Sequence, residues 1–320
     1  MMKKEVAIAP MLDWTDNFFR SFIRLICHHA LLYTEMITEQ ALWHGDPSRL
    51  LTFEDHQHPI ALQIGGSTPQ KMAHAARLGE DFGYDEININ AGCPSERVQA
   101  GAFGACLMAE PDLVARCVEK MLQTTQKPVS IKTRLALEGT SNAYHDLRHF
   151  VQTTSQAGCR KFIIHARNAR LKGFTPKENR EKMPLNYELV YRLKQDFPHL
   201  FIEINGNISS LDALRQHLHQ VDGVMIGRRA YAEPYFLADI DQMLYHDPHP
   251  LLTREEIVRR MLPLLQKEME KGRPPLSMLR HMIGLYWGTP FSKKFKHAVM
   301  ANDMTALYTF LDETASSKTQ

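Results

Sequence analysis

Short runs of aliphatic and β-branched residues recur along the chain: "VAIA" (6–9), "LLYT" (31–34), "IALQI" (60–64), "EININ" (86–90), "VSIKT" (129–133), "KFIIHA" (161–166), "FIEIN" (201–205) and "GVMIG" (223–227). Between them lie segments of helical period. Thr68 and Pro69 open one, and Gly83 follows its end. Pro111 opens another, with Leu113, Val114, Cys117, Val118 and Met121 on one face. Gly158 closes the helix of Leu147, Phe150 and Val151, and Ser209 or Ser210 caps that of Leu211, Leu214 and Leu218. Caps, N1 prolines and trailing glycines are the punctuation of real helices. Eight strand–helix units predict an α/β fold, a closed (β/α)8 TIM barrel. After Leu237 only helical periods remain, past a proline-rich break at 247–253. The expected division is a barrel over 1–243 and a small all-helical domain over 244–320.

The polar residues inside these runs carry a second message. Strand side chains alternate between faces, and one face of a barrel strand looks inward. Gln63 opposes Leu62 and Ile64, Asn90 opposes Ile87 and Ile89, and Lys132 opposes Ile131. His165 opposes Ile164, and Asn205 opposes Ile202 and Ile204. Singly, each amide reads as a bonded core group, Lys132 as a rim charge and His165 as a core histidine. Together they end five strands at the rim where barrel active sites form. Buried polar groups cost a few kcal/mol unless paired, so their convergence points to a polar ligand. "NGNISS" (205–210) and "IGRRAY" (226–231) follow the seventh and eighth runs, where barrels bind phosphate. Gly206, Asn207, Gly227 and Arg228 form the expected cradle.

Charge adds a direction. The net charge is +2, but residues 254–296 hold ten Lys or Arg against four Glu. That local excess suggests a polyanionic partner. Five cysteines form no CxxC pair, which suits reduced thiols and a cytoplasmic protein. The basic N-terminus lacks a secretory h-region, and no apolar run is long enough to span a bilayer. The histidines are scattered, so no metal is expected, and nothing argues for more than a monomer.

"ININAGCPSERVQAGAFGA" (87–105) resembles the signature of the tRNA-dihydrouridine synthases, with Asn and Cys at fixed offsets around a strand end. "IAPMLDWTD", "IKTRL", "IIHAR", "EINGNI" and "MIGRRAYAEPYF" are similar to its other motifs, over nearly the whole chain, and most like the A-type branch. The resemblance implies FMN in the barrel mouth, NADPH as reductant and D-loop uridines 20 and 20a of tRNA as substrate. It implies that Pro10, Met11, Gln63, Lys132, His165, Asn205, Gly206, Asn207, Gly227 and Arg228 hold FMN, that Asn90 contacts the uracil, and that Cys93 is the catalytic proton donor. The uracil C5–C6 bond is conjugated to the C4 carbonyl, so hydride goes to C6 and a proton must reach C5. A free thiol titrates near 8.5 and carries its proton near neutrality. Gly92 permits close approach there and Pro94 favours an extended Cys93. A fixed ammonium at Lys132 suits the negative charge of a reduced flavin. Arg170 and Arg180, in the loop after the sixth run, and Lys293, Lys294 and Lys296 are the expected tRNA contacts. Two other readings share parts of this pattern: an FMN barrel acting on a free pyrimidine, as a dihydroorotate dehydrogenase does, and a non-catalytic RNA-binding protein.

Overall fold

The computed structural model describes residues 4–316. Its strands are β1 (Glu5–Ile8), β2 (Leu31–Tyr33), β3 (Ile37–Thr38), β4 (Ile60–Gly65), β5 (Glu86–Ala91), β6 (Val129–Arg134), β7 (Lys161–His165), β8 (Phe201–Asn205) and β9 (Gly223–Ile226). All pairings are parallel, in the order β2-β1-β9-β8-β7-β6-β5-β4-β3. A further parallel pairing of β2 with β4 closes the circle. The expected TIM barrel is therefore present, with each of the eight runs as a wall strand. The two-residue β3 was not foreseen. It pairs with the end of β4, Ile37 beside Ile64, and is too short to leave a period in sequence.

Alternation along the strands sorts the side chains as expected. Ala7, Ala9, Leu31, Tyr33, Ala61, Ile163 and Met225 meet in one interior cluster, with Met11 packed against it. The opposite parity, including Ile87, Ile89, Ile131, Ile164 and Ile204, is buried on the other face of the wall. The helices that follow start and stop close to the sequence signals. One spans Pro69–Asp81, but Thr68 makes no side-chain capping bond; its own N–H instead donates to Glu39. Ser210, rather than Ser209, caps Leu211–Gln220 by accepting from the Ala213 N–H at 3.1 Å.

The chain packs as two compact units: Met1–Leu12 with Leu31–Gly227, and Asp13–Ala30 with Arg228–Gln320. The change of unit thus falls at 227/228, ahead of the expected 243/244, and the segment between β1 and β2 joins the helical unit. The reason is apolar. Phe18, Phe19, Phe22 and Ile23 of the helix Asn17–Arg24 are buried. The Phe19 ring lies 5.4 Å from Tyr231 and 5.9 Å from His281. Asp16 caps this helix and pairs with Arg273. Thr253 and Glu256 form a capping box at the start of Arg254–Glu270, whose Ile257, Val258, Met261 and Leu265 are buried as their period requires. Phe295, Leu307, Phe310 and Leu311 complete that core. Among the described residues no helix is long and apolar enough to cross a membrane.

Candidate active site at the C-terminal ends of the strands

The sequence directs polar side chains to the strand tips, and register sets them side by side. Gln63 is level with Asn88, Asn90 with Lys132, Arg134 with His165, and His165 with Asn205. Asn90 Nδ2 donates to Gln63 Oε1 at 2.9 Å. Its Oδ1 accepts from the backbone N–H groups of Gly92 and Cys93, at 3.1 and 3.0 Å. The strand thus turns at its tip over its own amide, and the half-buried thiol stands beside it, 3.6 Å from Ser95 Oγ. Two glycines make the turn possible. A Cβ on Gly92 would lie 3.2 Å from the Thr133 carbonyl carbon. Gly104 has φ +76, and a Cβ there would come within 2.6 Å of the Cys93 carbonyl oxygen. That carbonyl accepts from the Ala105 N–H.

Cations surround this tip. Arg134, which the sequence reading passed over, donates from Nε to Gly92 O at 2.9 Å and from Nη1 to Asn168 O at 3.1 Å. Burial lowers its pKa to about 10, with Arg180 and Arg167 acting in the same direction. Burial first, and Arg134 second, lower Lys132 to about 8; Glu203 and Cys93 act the other way. Burial, then Arg134, Lys132, Arg167 and Arg180, hold the half-buried His165 well below the usual histidine range. His165 thus sits among cations that disfavour its protonated form.

Asn205 donates from Nδ2 to Met225 O at 2.8 Å. Gly206 follows with φ +137, where a side chain would meet Leu185 at 2.8 Å, and Asn207 adopts φ +53. Gly227 has open space around it, its nearest neighbour to a Cβ being Ala9 at 3.9 Å. Pro10 and Met11 end the segment after β1, half-buried. Arg228 opens the short helix Arg228–Ala232 of the second unit. Arg170 pairs with Glu138 at 3.1 Å and lies over the Phe174 ring at 4.4 Å. Lys293, Lys294 and Lys296 stand exposed on the helix Ser292–Met300 of the second unit, Lys294 paired with Glu313 at 2.5 Å. The structure thus gathers Gln63, Asn90, Cys93, Lys132 and His165 through bonds, register or charge.

Deeper in the barrel lies a polar group absent from the sequence reading. Lys161 Nζ reaches Glu86 at 2.8 Å and Glu5 at 2.5 Å, with Glu203 at 4.0 Å. Tyr33 and Ser130 hydroxyls donate to Glu86. Burial raises Glu203 well above the ordinary glutamate range, and Glu5 is raised for the same reason. Extending the inward parity of Asn90 and Lys132 back along their strands finds Glu86, Asn88 and Ser130. In the second unit, His28, Asp247 and His249 come within 4.8 Å of one another. No spacing of these three residues along the chain announces their meeting. The two imidazoles stack at 3.9 Å with 21° between planes.

Residues 7–319 match the family model described as dihydrouridine synthase (Dus). The chain is 48% identical over 301 residues to a tRNA-dihydrouridine(20/20a) synthase of Synechocystis, covering 94% of this chain and 90% of that one. It is 48% identical to that of Shewanella oneidensis, covering 94% and 89%, and 47% identical to that of Pseudomonas aeruginosa, covering 92% and 89%. Among solved structures, 2-naphthoyl-CoA reductase in complex with 2-naphthoyl-CoA aligns with TM-score 0.56 at 11% identity, over 75% of this chain and 50% of that one. Morphinone reductase in complex with tetrahydroNAD aligns at 0.53 and 11%, over 75% and 87%. These two share the barrel fold.

Proposed function

The chain belongs to the dihydrouridine synthase family, and from that premise we propose that it reduces uridines 20 and 20a in the D-loop of tRNA to 5,6-dihydrouridine, with FMN at the barrel mouth and NADPH as the reductant. One observation carries the assignment of roles: Asn90 bonds both Gln63 and the Cys93 N–H. Thiol, base-reading amide and cofactor-reading amide form one connected group.

The residues present suit FMN. Gln63 uses one N–H on Asn88 and one lone pair on Asn90, which leaves one donor and one acceptor, the complement of an imide edge. Lys132 offers an ammonium, Gly206 and Gly227 offer backbone without side chains of their own, and Asn207 follows in the left-handed region. Pro10, Met11, His165, Asn205 and Arg228 complete the proposed set. When bound, FMN supplies hydride to C6 of the uracil ring. Every other role falls to side chains of this chain. Asn90 orients the base edge through its remaining N–H. Cys93 holds the proton for C5, and the Asn90 and Arg134 bonds fix the backbone from which it acts. Extruding the uridine costs a few kcal/mol, least in a loop. Positive charge from Arg170, Arg180, Lys293, Lys294 and Lys296 offsets this through phosphate contacts. In this reading the barrel supplies the chemistry, and the basic helical residues within 244–320, with Arg170 and Arg180, grip the tRNA.

Purified protein, loaded with FMN and reduced by NADPH, tests this. Reoxidation by tRNA lacking dihydrouridine, but not by free uracil or orotate, with new dihydrouridine mapped to 20 and 20a, is expected. Reoxidation by the free pyrimidine alone would overturn the assignment.

A further inference from the structure

A single file of side-chain hydrogen bonds runs the length of the barrel. Asn90 Nδ2 donates to Gln63 Oε1 at 2.9 Å, and Gln63 Nε2 donates to Asn88 Oδ1 at 2.8 Å. Asn88 Nδ2 donates to Ser130 Oγ at 2.7 Å, and Ser130 Oγ donates to Glu86 Oε1 at 2.5 Å. Gln63, Asn88, Ser130 and Glu86 are all buried. Each link can run in only one direction once its neighbour is set. Glu86 also receives Lys161 Nζ at 2.8 Å, and an ammonium can only donate. Lys161 takes Oε2, while Oε1 accepts from the Tyr33 hydroxyl at 2.9 Å and from Ser130, which in turn accepts from Asn88. Asn88 must then turn its oxygen to Gln63, and Gln63 its oxygen to Asn90. At the far end the Gly92 and Cys93 N–H groups demand the same sense, since both meet Asn90 Oδ1. A reversed Asn90 would set its NH2 against two N–H donors.

We propose that Glu86 is a positioning residue for Asn90 and Gln63, acting through Ser130 and Asn88 to fix which face of each amide donates. The count of valences gives the consequence. Asn90 commits both lone pairs to the backbone and one N–H to Gln63. It retains one N–H and no acceptor, so it selects a carbonyl oxygen on the base edge before it and opposes an amino group. This last step rests on the reading of Asn90 as the uracil contact; the polarity of the file does not.

Ser130→Ala removes one oxygen and cuts the file. In the full chain loaded with FMN, iodoacetamide alkylation of Cys93, followed on its peptide by mass spectrometry, is expected to quicken at least threefold. The kcat/KM for tRNA is expected to fall about tenfold. Ser130→Thr keeps a hydroxyl and is expected to stay within twofold of wild type on both. Glu86→Gln, which removes the charge, moves both in the direction of Ser130→Ala. Val190→Ala, a buried change off the file, lowers the melting temperature and leaves Cys93 alkylation unchanged. Ser130→Ala within twofold of wild type on both measures overturns the proposal, as does equal quickening in Val190→Ala. Alkylation reads the resting protein, so its change in Ser130→Ala alongside wild-type protein inert toward tRNA overturns the activity and upholds the file.

Discussion

Lys161 holds Glu86 at 2.8 Å and Glu5 at 2.5 Å inside the barrel, with Glu203 only 4.0 Å away. One ammonium therefore serves three carboxyl groups. Burial alone would lower its pKa, but Glu86, Glu203 and Glu5 outweigh this and raise it. Removing one partner of a buried ion pair costs about 3–5 kcal/mol. Lys161→Met is expected to lose that much in urea unfolding at pH 7. Glu5 and Glu203 bind protons more readily folded than unfolded, so the loss shrinks as pH falls toward 5. An unchanged midpoint at pH 7 would contradict the pairing.

The Cys93 thiol bonds Ser95 Oγ at 3.6 Å and the turn is held by backbone bonds, so Cys93→Ala leaves the turn in place. Normal FMN binding is expected, with single-turnover reoxidation by tRNA slowed about 10²- to 10⁴-fold, the range for a lost general acid. Stopped-flow absorbance of the flavin measures both.

Lys132 sheds its proton near pH 8 in the fold, against the usual 10.5. The unfolded chain therefore binds more protons between those values, and this residue's burden on stability eases as pH rises from 8 to 10.5. Its positive charge disappears across the same rise, and with it the counter-charge for a flavin. FMN affinity is expected to fall above about pH 8 in the wild type. In Lys132→Met it is weaker throughout and flat across that range, as fluorescence titration at several pH values would report.

Neutralising Lys293, Lys294 and Lys296 together is expected to flatten the dependence of tRNA binding on salt. Each lost phosphate contact removes about 0.9 from the slope of log K against log salt. Lys294 is already paired with Glu313, so a reduction of about 2 is expected in filter binding.

Asp16 is shifted down like Lys132, but its shift stabilises the fold where that of Lys132 burdens it. Burial would raise it, yet His281, the Phe19 N–H and Arg273 hold it at about 2. Its contribution is present above the unfolded value near 3.8 and is lost as pH falls toward 2. Asp16→Asn can keep the cap but not the ion pair. It is expected to cost about 2 kcal/mol at neutral pH, and far less at pH 2, by chemical denaturation.

Strand tips were readable because β-branched runs reveal a strand and parity reveals its inward side. Gln63, Asn90, Lys132 and His165 followed from that rule alone. Lys161 and Glu86 did not, because a charge opening a strand looks like a solvated rim. Only closure of the barrel turns β1, β5, β7 and β8 toward one interior point. Arg134 escaped for a related reason: its partners are backbone carbonyls, which carry no sequence signature. The helix Asn17–Arg24 could be read as amphipathic, but periodicity does not say which core receives an apolar face.

That helix has a consequence for synthesis. Its aromatic side chains are buried in a unit whose remaining residues begin at Arg228. At 5–20 residues per second, a ribosome takes on the order of ten seconds or more to reach them. Throughout that interval Phe18, Phe19 and Phe22 await the residues that complete their unit. Stopping translation at Gly227 would strand them for good.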